Sequence, residues 1–321
     1  MSRGKAASRA NYPHCVAVFM LCIAVGAGAL AAENSPNLEN SLLPEKTATL
    51  QGRPVLARLL NWPEKDKQAD GEGEDEEAKE KPLESDRPDF TDSSTTVGYR
   101  RLQIESGYKY TQAIAGDPTH NAHDLPELLV RYGMAERLEL RVAWDEGMAF
   151  ESRTDRNSGR LVAESGSTDM DIGFKYALTQ QDKWRPQSAI ITSVSAPVGT
   201  PELSSGQVDV LINYLFSWEF TKKLSLNCST GSLWTAESGD HFSQLFQAAS
   251  LEYELTEKLH VFNEWAVFLR RDFSDNRPQF YYDAGLTYLV TPNFQLDWSA
   301  GVGLNDAADG FFTGCGLTIR R

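Results

Sequence analysis

Residues 101–110 alternate apolar or aromatic side chains with charged or polar ones. This two-residue period is typical of a β-strand whose faces meet different surroundings, because successive side chains point to opposite sides. A tilted strand of about 9 to 11 residues is also long enough to cross a bilayer as part of a closed barrel. The stretch therefore predicts a membrane-spanning strand. Its apolar face consists of Leu102, Ile104, Tyr108 and Tyr110.

The same alternation returns up to the C-terminus and makes twelve segments in all. Connections that are long after the odd-numbered segments and mostly short after the even-numbered ones are typical of outer-membrane barrels. The sequence thus predicts an all-β fold, a transmembrane antiparallel up-and-down β-barrel of about twelve strands. The predicted strands are 99–111, 123–132, 138–145, 169–178, 188–198, 208–217, 224–232, 244–255, 259–270, 280–288, 294–302 and 311–319.

A soluble β-sandwich is the alternative, because its strands also have one apolar and one polar face. Two further features favour the barrel. The predicted strands are longer than the 5 to 6 residues usual in soluble sheets. Their apolar faces also carry many tyrosine and tryptophan residues near the strand ends, where amphipathic rings lie at membrane interfaces.

The N-terminus has the pattern of a secretory signal peptide. Three basic residues precede the apolar run 15–30, which ends in the small-residue motif Ala29-Leu30-Ala31. An N-terminal membrane anchor is the alternative, but the run is short for a spanning helix and contains Gly26 and Gly28. We therefore expect residues 1–31 to be a cleaved signal peptide.

The chain carries a formal net charge of −14 with a pI of about 4.9, so nucleic acid is not expected as a partner. The acidity is concentrated in residues 64–86, and such a run repels itself and cannot bury a core. We expect residues 32–95 to be an acidic, largely disordered periplasmic segment, and residues 96–321 to be the barrel. Whether the acidic segment fills the lumen or extends away from it stays open.

The polar faces of the strands predict a charged lumen. One interpretation is a hydrated channel whose field favours cationic or polar solutes, and the other is a salt-bridge network that conducts nothing. Glycines on this face either make room for a ligand or an inserted segment, or relieve crowding where a closed sheet bends. The residues that we expect to line the lumen and select solutes by charge are Glu105, Arg131, Arg141, Asp171, Lys175 and Glu264.

The sequence does not point to catalysis. His120 and His123 have a spacing that a metal would accept, but they lie in a predicted surface loop. No serine or aspartate near a histidine forms a recognisable nucleophile arrangement. We therefore expect no catalytic residues, no metal and no cofactor. Cys228 and Cys315 lie on predicted apolar faces, either as free thiols or as a pair.

Five motifs resemble one family of outer-membrane barrels. They are Asp86-Arg-Pro-Asp-Phe-Thr-Asp92, Leu102-Gln-Ile-Glu-Ser-Gly-Tyr108, Pro126-Glu-Leu-Leu-Val-Arg-Tyr-Gly133, Glu136-Arg-Leu-Glu-Leu-Arg141 and Asp169-Met-Asp-Ile-Gly-Phe-Lys-Tyr176. With these motifs the chain is similar to the family labelled "putative MetA-pathway of phenol degradation" from about residue 85 onward. The resemblance implies a porin-like protein that moves small compounds, aromatic ones among them, across the outer membrane.

We therefore expect a passive channel in the outer membrane. Its expected partners are outer-membrane lipids, small solutes and, during biogenesis, the barrel-assembly machinery. The sequence does not indicate an oligomeric state. The alternative is a non-conducting structural or adhesion barrel that acts through the predicted loops 113–122 and 146–167. An enzymatic barrel is a third hypothesis without a motif to support it.

Overall fold

The computed structural model describes residues 60, 81–88, 90–114, 117–154, 161–237, 240–271 and 277–321. The predicted signal peptide, and the acidic segment up to residue 80 except for Leu60, lie outside these residues. Among the described residues, no helix is both long enough and apolar enough to span a membrane.

The described chain forms one antiparallel sheet of fourteen strands. The strands are β1 (Leu102–Ile114), β2 (Asp117–Gly133), β3 (Leu138–Trp144), β4 (Met148–Thr154), β5 (Leu161–Ser167), β6 (Met170–Thr179), β7 (Gln187–Ala196), β8 (Val210–Thr221), β9 (Leu224–Glu237), β10 (Asp240–Thr256), β11 (Leu259–Arg271), β12 (Gln279–Thr291), β13 (Phe294–Gly303) and β14 (Phe311–Arg320).

Twelve of these strands close into a barrel, because β1 pairs with β2 on one side and with β14 on the other. The predicted transmembrane antiparallel β-barrel is confirmed, and each of the twelve predicted segments corresponds to one barrel strand. Full closure leaves no unpaired barrel edge, which a bilayer requires because lipid tails cannot hydrogen-bond to a free edge.

Strand β6 shows how the alternation forms the wall. Ile172 is 50% exposed on the outer surface, whereas Lys175 on the inner face is 0% exposed. The outer surface is a band of large apolar side chains, as expected for a wall that lipid surrounds. Members of this band are Ile104, Tyr132, Phe174, Ile212, Trp234, Tyr288, Trp298 and Ile319.

Short turns join the strands at one end of the barrel, here called the turn end; the turn at 134–137 is an example. At the opposite, extended end the strands continue further than predicted. The predicted loop 113–122 is wrong, because β1 runs to Ile114 and β2 begins at Asp117. The ladder between β1 and β2 supplies the backbone hydrogen bonds that the predicted loop would have left to water.

The predicted long loop 146–167 is also wrong, because β4 and β5 form a hairpin there. The 17 residues of β2 are enough to pair with β3 through one half and with β4 through the other. Both faces of this hairpin carry polar residues, so the sequence lacks the alternation between an apolar and a polar face. The structure of this hairpin is determined by pairing with β2 and not by a one-sided apolar pattern in its sequence.

Candidate functional site: the barrel lumen

Residues 81–88 and 90–97, here called the inserted segment, lie inside the barrel and begin and end at its turn end. On the way in, Leu83 N donates to Pro292 O at 2.8 Å. After the segment has returned, Arg100 N donates to Gly133 O at 2.7 Å, next to the turn at 134–137. Most of these residues belong to the stretch predicted to be a disordered periplasmic segment. The boundary at residue 95 remains a prediction.

Asp86 of the inserted segment is surrounded by three cations of the barrel wall. Lys175 Nζ donates to Oδ1 at 3.0 Å and to Oδ2 at 2.8 Å. Arg131 Nη1 lies 3.4 Å from Oδ1, and Arg141 forms an ion pair with Oδ2. Arg131 and Lys175 are both 0% exposed. Buried charges are tolerated only when they are paired and hydrogen-bonded, and Asp86 provides that pairing.

The protonation of Asp86 follows from this arrangement. Burial alone would raise the pKa of its carboxyl group, but Arg131, Lys175 and Arg141 outweigh that effect and hold the pKa well below the usual range. Burial, followed by the charge of Asp86, instead raises the pKa of Asp92, although Arg141 Nη2 donates to Asp92 at 3.0 Å. Asp86 is therefore the firmly ionised anchor of the segment.

Two wall carboxylates complete the charge balance around Arg131. Its Nη1 donates to Glu105 at 2.9 Å and its Nε donates to Glu139 at 2.8 Å. Glu105 also accepts hydrogen bonds from the inserted segment, from Asp86 N at 3.0 Å and Ser85 Oγ at 2.7 Å. Wall and segment thus share one buried ionic network at the turn end of the lumen.

Arg87 fixes the neighbouring part of the segment to β2 and β13 of the wall. Its Nη1 lies 2.6 Å from Glu127 and its Nη2 lies 3.5 Å from Asp297. A Cβ atom at Gly107 would lie 2.2 Å from the Arg87 guanidinium, and one at Gly316 would lie 2.5 Å from it. These two glycines make room for an inserted segment, which was one of the two predicted roles of inward glycines.

Phe90 packs the far end of the segment against the wall. Its ring centroid lies 5.6 Å from that of Phe268, 5.7 Å from that of Tyr281 and 5.6 Å from that of Phe312. Ala308, from the connection between β13 and β14, belongs to the same cluster. Aromatic pairs at these distances add to the stabilisation from area burial. The segment is thus held by apolar packing as well as by charge.

Glu264 of β11 accepts hydrogen bonds from the chain beside Phe90. Phe90 N donates to Glu264 Oε2 at 2.6 Å, and the Thr91 hydroxyl donates to Oε1. On its return the segment contacts β8, where the hydroxyl groups of Ser94 and Ser217 lie 2.7 Å apart. Contacts of the segment therefore reach strands on all sides of the barrel.

A cavity of about 470 Å³ lies inside the barrel next to the segment. The segment contributes Asp86, Arg87, Pro88, Phe90 and Asp92 to its lining. Elsewhere the lining has two characters. One part is apolar and comes from neighbouring strands: Ile191, Leu211 and Leu233. The other part is charged: Glu105, Lys109, Glu127, Arg141, Asp145, Asp171 and Asp283.

The six predicted lumen residues all face the interior, but they differ in exposure. Four side chains are 0% exposed and contact the segment or its partners: Glu105, Arg131, Lys175 and Glu264. Arg141 and Asp171 are less buried and line the cavity, as Glu105 does, and Arg141 also contacts Asp86 and Asp92 of the segment. Whether any of the six selects solutes by charge stays a prediction.

The residues that sequence reasoning missed are those of the segment itself: Asp86, Arg87 and Phe90. The signal was present in the Asp86-to-Asp92 motif that carried the family resemblance, but the motif has no strand period and its partners are distant in sequence. His123, weighed as a metal ligand, has its Nδ1 2.8 Å from the Tyr108 hydroxyl. Cys228 and Cys315 are not joined by a disulfide.

Fold and lumen together define the class: a transmembrane β-barrel whose interior is partly occupied by its own N-terminal segment. A family model described as "Putative MetA-pathway of phenol degradation" matches residues 85–320, and the chain belongs to this family. The match begins within the inserted segment and ends with β14. No curated protein matches the sequence.

Solved structures support the fold. The COG4313 outer membrane channel from Pseudomonas putida F1 has a TM-score of 0.54 at 13% identity, with 74% of this chain and 100% of that chain covered. The KdgM porin gives 0.42 at 10% identity, covering 68% and 98%. The CymD monoaromatic hydrocarbon channel gives 0.37 at 10% identity, covering 70% and 88%. The first shares the barrel fold, and the scores of the other two are too low to support an argument.

Proposed function

We propose that this protein is a porin-like channel of the outer membrane through which small solutes, aromatic compounds among them, pass without an energy source. The observation that carries the proposal is the cavity of about 470 Å³ enclosed by a transmembrane wall and bounded by the inserted segment. A barrel that served only as a structural anchor would gain nothing from such a cavity. In this proposal the turn end faces the periplasm, as short turns do in outer-membrane barrels.

The cavity lining supports solutes with both a polar and an apolar part. Leu211 and Leu233 are directly paired across β8 and β9 and line the cavity together with Ile191. Charged side chains line the rest of the cavity, and among them Arg141 and Asp171 are the residues proposed to act on passing solutes. Ligand sites are usually apolar concavities with a few placed polar groups, and this cavity has that composition.

The remaining predicted lumen residues have a different proposed role. Glu105, Arg131, Lys175 and Glu264 are buried against the segment, so they determine how firmly it narrows the lumen. The protein is proposed to act without chemical conversion of the solute and without a bound cofactor. Its permanent partners are then the lipids around the apolar band.

The test is conductance of the folded full chain, without its signal peptide, in planar bilayers. Stepwise currents, and uptake of a small aromatic such as benzyl alcohol into vesicles, are the expected result. Gel mobility before and after boiling serves as the control for folding, since a folded barrel migrates differently until it is heated. A correctly folded barrel that gives neither currents nor solute uptake would contradict the proposal and favour the structural or adhesion role.

A further inference from the structure

We infer that Lys175 and Arg141 form a solute-binding site that the Asp86 carboxylate occupies in the manner of a ligand. When the inserted segment moves away, this site binds the carboxylate of a small apolar monocarboxylic acid. This inference rests on the proposed channel function and names a solute class for it. It follows from the partners of the two cations, from the apolar residues beside them and from the composition of the interface around the segment.

Lys175 depends entirely on the inserted segment for its hydrogen bonds. Its Nζ donates to both Asp86 oxygens and, at 2.8 Å, to Ser93 O; within the described part of the chain these are all of its hydrogen bonds. No wall carboxylate takes up this ammonium group directly. When the segment moves away, the Lys175 ammonium group is left in the lumen without a hydrogen-bond acceptor. The carboxylate of a solute can then accept its hydrogen bonds.

Arg141 shares this dependence. Two of its ion pairs are with the segment, through Asp86 and Asp92, and one is with Glu139 of the wall at 3.2 Å. Arg131 differs, because Glu105 and Glu139 of the wall continue to neutralise it. Withdrawal of the segment therefore exposes two undercompensated cations that already converge on a single carboxylate oxygen, Asp86 Oδ2.

The residues next to these cations suit an apolar body. Lys175 is directly paired with Ile191 on β7, and Ile191 forms a buried cluster with Ala189 and Leu215. Asp86, Arg141 and Ile191 also line the cavity, so the site borders the cavity and the segment covers Lys175 from it. A carboxylate on the cations and an apolar group against Ile191 describe a monocarboxylic acid such as benzoate.

The acidic side of the cavity does not prevent this. Asp171 precedes Lys175 by four residues on β6, which places it about 13 Å nearer to the extended end. Asp171 is therefore not an immediate neighbour of Lys175. The charged end of the solute is drawn towards the turn end, where the cations lie.

The interface around the segment is suited to release. Gln103, Asn213 and Asp297 each hydrogen-bond to the segment, yet each keeps one buried polar atom without a partner among the described residues: Oε1, Oδ1 and Oδ2 respectively. Buried polar atoms without partners weaken an interface. The interface around the segment is thus incompletely satisfied near its ion pairs, and a competing carboxylate acts on those ion pairs.

The experiment compares benzoate with benzamide, its neutral analogue of similar shape, in uptake by vesicles that contain the full-length protein. In the unmodified protein at low solute concentration we expect benzoate to enter faster than benzamide. Lys175→Gln should lower the ratio of benzoate to benzamide uptake about tenfold, the loss expected for one hydrogen bond between charged groups. Lys222→Gln, which removes an exposed lysine from the turn between β8 and β9, should change the ratio less than about twofold.

Lys175→Gln leaves Asp86 without its partner and can destabilise the segment, so a second variant is needed. Asp86→Asn with Lys175→Gln removes both charges and should show the same loss of benzoate preference. Asp86→Asn alone should raise benzoate uptake, because the internal competitor has lost its charge. An equal benzoate-to-benzamide ratio in all variants, while both solutes enter, would overturn the inference but not the channel. Absence of any uptake in the unmodified protein would instead overturn the channel.

Discussion

The two halves of the lumen are enclosed by the same strands, but they are filled differently. At the turn end, Asp86 and its cations form a network in which every charge has a partner. Towards the extended end, a cavity remains in which apolar and acidic residues face an open volume. Closing a barrel thus does not determine whether its interior conducts; residues outside the barrel strands decide how much of it stays open.

The largest expected effect comes from removing the segment. Deletion of residues 81–97 should raise single-channel conductance severalfold, because it opens the turn end to the width of the cavity. Deletion of residues 64–80, of the same length and also acidic, is the matched control and should leave conductance near that of the unmodified protein. Equal conductance after both deletions would show that the turn end is not the narrow part of the path.

A large effect on stability is expected at Arg131, which is 0% exposed and bonded to two wall carboxylates and to Asp86. Arg131→Met leaves those carboxylates buried without their partner, which should lower the free energy of unfolding by about 3 to 5 kcal/mol. Arg185→Met, at an exposed turn position, should change it by less than about 0.5 kcal/mol. Guanidinium unfolding in detergent or lipid measures both, and similar losses would contradict the distinction.

Lowering the pH should have an intermediate effect on conductance, through the ionic network at the turn end. The folded-state pKa of Asp86 lies far below its ordinary value of 3.8, so its stabilisation is complete above that value and is lost as the pH falls below it. Conductance of the unmodified protein should therefore rise between pH 4 and pH 2. In Asp86→Asn this rise should be absent; if it persists unchanged, another group releases the segment.

The smallest effect is expected on ion selectivity, from a residue of the cavity towards the extended end. Asp171→Asn removes one cavity carboxylate and should shift the cation-to-anion permeability ratio towards anions by at most about twofold, because a hydrated lumen screens a single charge. The reversal potential in a salt gradient measures this ratio. Asp182→Asn, at the exposed turn between β6 and β7, is the control. A larger shift in the control than in Asp171→Asn would argue against selection inside the cavity.

The sequence allowed the barrel to be predicted because lipid requires alternation at each strand. All twelve barrel strands and the inward orientation of Lys175 and Glu264 followed from that rule. The rule fails where lipid is absent. Strands β4 and β5 pair with each other outside the closed barrel, and their sequence has no one-sided apolar pattern.

The inserted segment escaped prediction for a different reason. Its stability comes from contacts with residues far away in sequence, such as Asp86 with Lys175 and Phe90 with Phe312. Local composition there is acidic and rich in turn-forming residues, which predicts disorder when such partners are unknown. Within the described chain, Gly107 and Gly316 were local signs of it, but glycine alone does not tell an inserted segment from a bend in the sheet.

The route of the segment, in and out at the same end, has a topological consequence. Leu83 and Arg100 both bond to residues of the turn end, so the stretch between them is a loop with its two feet together. No chain terminus has to pass through the wall for this loop to enter or leave the lumen. The hydrogen bonds between β1 and β14 can stay intact throughout. Docking of the loop is therefore topologically independent of assembly of the wall.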